Sequence, residues 1–133
     1  ARPVVMPTRP TISNKTLIVV EGIFFFFYAY DAGMRNVICT FGTSSALVRS
    51  TMEAIASISN LLGATRVILA LDNDKAGANT TEKLTEFLES RVPSVEVFNW
   101  EKLTVLLERE VKDFGALEKD DFFAVQAVLY TKT

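Results

Sequence analysis

The chain has 133 residues, 49% hydrophobic and 23% charged, with a formal net charge of −2, which bounds it to one globular domain with room for a real core. With one cysteine, Cys39, and no histidine, these residues exclude a disulfide scaffold, zinc-finger patterns and Ser-His or Cys-His catalysis. The charge balance is no basic footprint, yet nucleic acid stays open as a partner, because an acidic metal site offsets basic residues in the total.

Residues 1–14 carry Pro3, Pro7 and Pro10 without a sustained period and read as an extended N-terminal arm. The rest, 15–133, reads as a single domain with a core over 15–98 and a helical extension over 99–133. Thr16 to Val20 is an apolar, β-branched run bounded by Gly22, hence a buried strand. Phe24 to Asp31 is expected as a helix closed by Gly33. Asn36 to Phe41 is the second strand. Gly42-Thr43-Ser44-Ser45 is a small-residue loop, with Ser44 or Ser45 placed to cap a helix from Ala46 to Leu62.

Val67 to Leu71 is the third strand, Asn79 to Ser90 the third helix and Val95 to Phe98 the fourth strand. Leu103, Leu106, Leu107 and Val111 mark an amphipathic helix, and a last helix is expected over Asp120 to Tyr130. Alternating strands and helices predict an α/β, Rossmann-like, four-stranded parallel sheet with helices on both faces and a C-terminal helical extension. Right-handed crossovers with one reversal of direction give the strand order 2-1-3-4. No apolar run reaches the roughly 18 residues of a membrane span, and no signal-peptide pattern is present. The expectation is a cytoplasmic protein with no membrane partner.

Two strand ends carry the chemistry. The first strand ends in Glu21-Gly22, and the third ends in Asp72-Asn73-Asp74-Lys75-Ala76-Gly77. In the order 2-1-3-4 both open onto the crevice at the carboxyl ends of neighbouring strands, where open α/β sheets bind ligands. Residues two apart in an extended segment point the same way, so Asp72 and Asp74 can both face that crevice. Three carboxylates gathered there repel one another without a counter-charge, and a hard, oxygen-binding cation such as Mg²⁺ or Mn²⁺ meets that need. Taken alone, Asp-x-Asp after a strand also serves as turn or helix-cap chemistry.

The segment from Lys15 to about Phe98 resembles a Toprim domain, the module shared by bacterial-type primases, type IA and II topoisomerases, OLD-family nucleases and RecR-like repair proteins. Its motifs stand here as Val20-Glu21-Gly22 and Leu71-Asp72-Asn73-Asp74. Asp31-Ala32-Gly33, the segment Asn36 to Ser44 and Asp74-Lys75-Ala76-Gly77 resemble the primase and primase-helicase branch. The resemblance implies Glu21 as general base or metal-orienting acid, Asp72 and Asp74 as Mg²⁺ or Mn²⁺ ligands, and Asp113 of Lys112-Asp113 as a ligand of a second ion. It implies phosphoryl (nucleotidyl) transfer on nucleic acid, with nucleotides and nucleic acid as partners, inside a larger replication protein. A nuclease cleaving phosphodiesters and a catalytically reduced docking module are the alternatives. The chain departs from the primase pattern at Phe25 and Gly115, where acids are usual.

Other features have plainer readings beside sharper ones. Lys75, Thr43 and Ser44 are candidates for contact with phosphate or nucleic acid, though Lys75 can equally neutralise Asp72 and Asp74. Arg35, Arg49 and Arg66 could meet phosphates or simply sit on the surface. Phe24-Phe25-Phe26-Phe27-Tyr28 covers every face of a helix. It is read as core, as a homodimer or inter-domain contact, or as a stacking surface if its rings line a groove.

Overall fold

β1 (Thr16–Val20) is buried along its whole length, so its residues must find apolar partners on both sides. Successive side chains of a strand point to opposite faces, and β1 divides accordingly. Ile18 and Val20 join one core with Ile68 and Ala70, while Leu17 and Val19 join the other with Val67 and Leu69. The computed structural model describes residues 4–7, 9–11, 15–40, 46–111 and 113–130.

The strands form one parallel sheet in the order β2 (Val37–Cys39), β1, β3 (Arg66–Ala70), β4 (Val95–Val97). This is the expected topology, with β1 and β3 adjacent and in register from Thr16 opposite Arg66 to Val20 opposite Ala70. Among the described residues five α-helices cover the faces: α1 (Ile23–Asp31), α2 (Arg49–Leu61), α3 (Lys75–Leu88), α4 (Trp100–Leu107) and α5 (Phe122–Tyr130). α1, α4 and α5 supply Phe25, Phe26, Leu103, Val125 and Leu129 to one core, whereas α2 and α3 supply Ile55, Leu84 and Leu88 to the other.

The glycines expected to end helices do so. Gly33 follows α1 with φ +94° and Gly63 follows α2 with φ +74°, a left-handed backbone that favours glycine. Three helix starts differ from expectation. α2 begins at Arg49 behind Val48, without a side-chain cap, and Ser44 and Ser45 lie outside the described residues. α3 begins at Lys75, four residues before Asn79, because Asp74 caps it. Before α5, residues Lys119–Asp121 form a 3₁₀ turn whose Glu118 and Asp121 make a capping box.

The N-terminal segment lies against the free edge of β2. Val5 and Cys39 exchange backbone hydrogen bonds of 2.9 and 3.0 Å as an antiparallel bridge, which occupies polar groups an edge strand would otherwise leave open. Among the described residues no helix is long and apolar enough to cross a membrane.

Candidate metal centre

Because Val20 sits opposite Ala70, the chain leaves the sheet at Glu21 and at Leu71-Asp72 on the same side. Glu21 is buried, at 8% exposure, and its Oε1 accepts a 2.7 Å hydrogen bond from the backbone N–H of Asp72. The loop after Asp72 then turns tightly: the N–H of Asp74 donates to the carbonyl of Asp72 at 2.9 Å, and Asp74 Oδ1 accepts from the N–H of Gly77 at 2.7 Å. Asp74 is therefore the N-cap of α3, satisfying an N–H that the first helical turn leaves orphaned.

Gly77 is where this turn requires a glycine. A Cβ there would overlap the carbonyl oxygen of Asp72 and stand 3.0 Å from its carbonyl carbon and 3.2 Å from Asp74 Oδ1. The Ala-Gly after the acidic pair thus has a steric cause: only a residue without a side chain lets α3 start this close to the acidic loop.

Two further contacts hold the loop. Asn73 Nδ2 donates to the carbonyl of Val111 at 3.2 Å, and Trp100 Nε1 donates to the carbonyl of Leu71 at 3.0 Å. The first brings the segment carrying Asp113 over the ends of β1 and β3. Sequence reasoning missed both residues. The polar middle of Asp-Asn-Asp and an indole opening a helix were the available signals, but neither names its partner.

Glu21, Asp72, Asp74 and Asp113 consequently feel one another. Burial, foremost, pushes the Glu21 carboxyl above its ordinary value; the Asp72 N–H pulls it down, and the charges of Asp74 and Asp113 push it up. Burial again, then the charges of Glu21, Asp113 and Asp74, push Asp72 up to about 6. Among the described residues, the ion pairs are Arg49–Glu53, Arg66–Glu96 and Arg109–Asp121, so none of them neutralises this cluster.

The donor set suits a divalent, oxygen-binding cation in its chemistry: all carboxylate, partly buried, mutually repelling and, among the described residues, without a paired cation. Glu21 and Asp72 would form its centre, with Asp74 and Asp113 at its rim. Among the described residues, no three of these side chains close into a ligand group, consistent with Glu21 and Asp74 each giving an oxygen to a backbone N–H.

The other candidates divide. Lys75 is exposed in the first turn of α3, beside the acids in sequence. Thr43, Ser44 and Lys112 lie outside the described residues. Arg35 lies over the ring of Tyr30, 3.5 Å from its centroid, and donates to the Tyr30 carbonyl. Arg49 pairs with Glu53 and Arg66 with Glu96, so these arginines serve local structure.

The departures from the primase pattern meet in space. Phe25 and Gly115 line a cavity of about 440 Å³ together with Gly22, Phe24, Asp72 and Asp113. Phe25 is 2% exposed and belongs to the core, while Gly115 is exposed, with room for a Cβ only 3.1 Å from Asp113 Oδ1.

A four-stranded 2-1-3-4 parallel sheet with acids at the ends of its two central strands is the arrangement expected of a Toprim fold. A family model described as Toprim-like matches residues 18–113, and the chain belongs to that family. It is 38% identical over 84 residues to a DNA primase of Mycoplasma pneumoniae, an alignment covering 63% of this chain and 13% of that protein. Its fold also matches the crystal structure of the Aquifex aeolicus primase zinc-binding and RNA polymerase domains. That match has a TM-score of 0.55 and 19% identity over 87% of this chain and 25% of that one. The chain thus spans a small part of the length of these relatives, and both of these relatives are primases.

Proposed function

We propose that this Toprim domain is a Mg²⁺- or Mn²⁺-dependent module for nucleotidyl transfer on nucleic acid, working within a larger cytoplasmic replication protein. The observation that carries the reading is the cluster of Glu21, Asp72, Asp74 and Asp113, from separate parts of the chain, in which burial and then mutual repulsion raise Asp72 to about 6 with no described cation paired to it. When bound, a divalent cation supplies neutralisation of phosphate charge and alignment of the attacking and leaving oxygens.

The chain's own groups have distinct parts in this reading. Asp72 would be the principal ligand, because it lines the cavity shared with Asp113 while its backbone N–H is held by Glu21. Glu21 keeps one oxygen on that N–H and offers the other for orienting a ligand or taking a proton from an attacking hydroxyl. Asp74 couples the ligand set to α3 through its cap. Asp113 serves a second ion or the outer coordination of the first. Lys75, exposed in the first turn of α3, would meet phosphate in this reading.

A second reading, a catalytically reduced docking module, draws support from Phe25, which stands in the core where primases carry an acid. Primer synthesis on single-stranded template and nicking of supercoiled DNA, each with Mg²⁺ or Mn²⁺, separate the readings. Metal-dependent nucleotide incorporation that Asp72→Asn abolishes supports transfer. Nicking alone supports the nuclease, and silence in both assays with metal bound supports the docking module.

A further inference from the structure

Asp72 is a wall of two cavities, and their linings differ in kind. The larger, about 490 Å³, runs along α3 and adds Asp74, Glu82, Glu86 and Glu89 to Asp72, with no lysine or arginine among the described residues of its lining. That concentration of negative charge repels a polyanion. The other, about 440 Å³, carries among the described residues Asp72 and Asp113 as its charged groups, both already assigned to the cation, together with Gly22, Gly115 and two phenylalanine rings. A phosphate-bearing ligand drawn to a cation at Asp72 therefore enters from this side.

The two rings have different fates. Successive residues of a helix are turned about 100° from one another, and α1 uses that turn to bury Phe25 at 2% exposure while leaving Phe24 at 76%. Phe24 is thus an exposed ring on the lining of the cavity that holds the acids. Gly22 leaves space beside it, since a Cβ there would meet nothing within 4 Å. An aromatic face beside a phosphate-attracting centre is the pairing that single-strand binders use for bases, because every base has a π-face.

Resting on the metal-dependent reading above, we propose that Phe24 is the base-stacking residue of this site: a nucleobase lies on its ring while the adjoining phosphate is held at the acidic cluster. The shared chemistry is a nucleobase attached to sugar-phosphate, in a single strand or in a nucleoside triphosphate. Specificity for base identity is low, since stacking and not hydrogen bonding reads the ligand.

The test uses the chain in Mn²⁺ and compares a short single-stranded oligonucleotide with a matched strand bearing abasic sites, and a nucleoside triphosphate with inorganic triphosphate. The wild type should bind the base-bearing member of at least one pair roughly tenfold more tightly, and that pair identifies the source. Phe24→Ala should erase the preference without changing Mn²⁺ affinity by calorimetry. Phe24→Trp should retain it and show ligand-quenched indole fluorescence. Phe27→Ala, which removes another exposed ring of α1 (57% exposed) outside this cavity's lining, should behave as wild type.

A base preference that survives Phe24→Ala, or its absence in a wild type that binds Mn²⁺, overturns the proposal and leaves the metal reading standing. So does light scattering that shows a dimer dissolved by Phe24→Ala with the base preference unchanged, which would assign the ring to a second copy. Failure of Mn²⁺ to bind at all overturns the underlying reading itself.

Discussion

The carboxylate of Glu21 accepts a hydrogen bond from the backbone N–H of Asp72 across 2.7 Å, tying the carboxyl ends of two adjacent parallel strands. One acid thereby fixes the position of another. The contact holds Asp72 part-buried beside a like charge, and burial foremost, then the charges of Glu21, Asp113 and Asp74, push its carboxyl up to about 6.

The two functions of Glu21 separate by substitution. Glu21→Gln keeps an acceptor for the Asp72 N–H and removes a charge from the cluster, so the metal-free chain should be as stable as wild type or more so. Glu21→Ala strands a part-buried donor, which costs about 1–3 kcal/mol. Urea unfolding of both variants, alongside Mn²⁺ titration that shows weakened binding in each, checks the division.

The raised acids set a pH dependence. In the metal-free chain, folded Asp72 titrates at about 6 and unfolded Asp72 near its ordinary value of 3.8, so between those values the native state holds more protons than the unfolded state. Stability therefore rises as pH falls through that window, and Glu21, shifted in the same direction, adds to it. Thermal unfolding from pH 7 to pH 4.5 should show a rise in the contribution of this cluster that Asp72→Asn flattens. Mn²⁺ affinity should run the opposite way and weaken below about pH 6, because the ligands must be deprotonated.

Asp74 anchors α3 as well as facing the site. Asp74→Ala should lower stability by about 1 kcal/mol through loss of the cap, and Asp74→Asn by less, while both reduce metal affinity. Gly77→Ala should be more damaging than either, since its Cβ collides with the backbone of Asp72. Denaturant midpoints of the three variants give the order directly.

The departures at Phe25 and Gly115 should answer restoration differently. Phe25→Asp removes a buried ring and places a charge in the core, a loss of about 3–5 kcal/mol or more, so it should unfold the chain or nearly so. Gly115→Asp adds a carboxylate at an exposed position beside Asp113 and should leave the fold intact while tightening Mn²⁺ binding. Circular dichroism and calorimetry on the two variants decide whether either position is a lost ligand.

What the sequence made legible followed from local periodicity and handedness. The five-residue run of β1 was readable end to end, because β-branched residues between turn signals leave few alternatives. The 2-1-3-4 order followed from right-handed crossovers, and with it the meeting of Glu21 with Asp72. The helix starts were less legible. Asp74 was read as a residue aimed at the crevice, with turn or helix-cap chemistry as the plainer alternative; it caps α3, and the earlier start at Lys75 went unseen. The Asn73–Val111 hydrogen bond joins residues 38 apart, and no local pattern encodes it. The outward turn of Phe24 was equally hidden, since a run of aromatics does not reveal which of its rings the core takes.

The central claim is that these carboxylates exist to bind a divalent cation, and calorimetric titration of the chain with Mn²⁺ at pH 7.5 tests it most directly. The account predicts at least one saturable site, abolished by Asp72→Asn and weakened by Glu21→Gln, with both variants folded by circular dichroism. Binding unchanged in folded Asp72→Asn would contradict it.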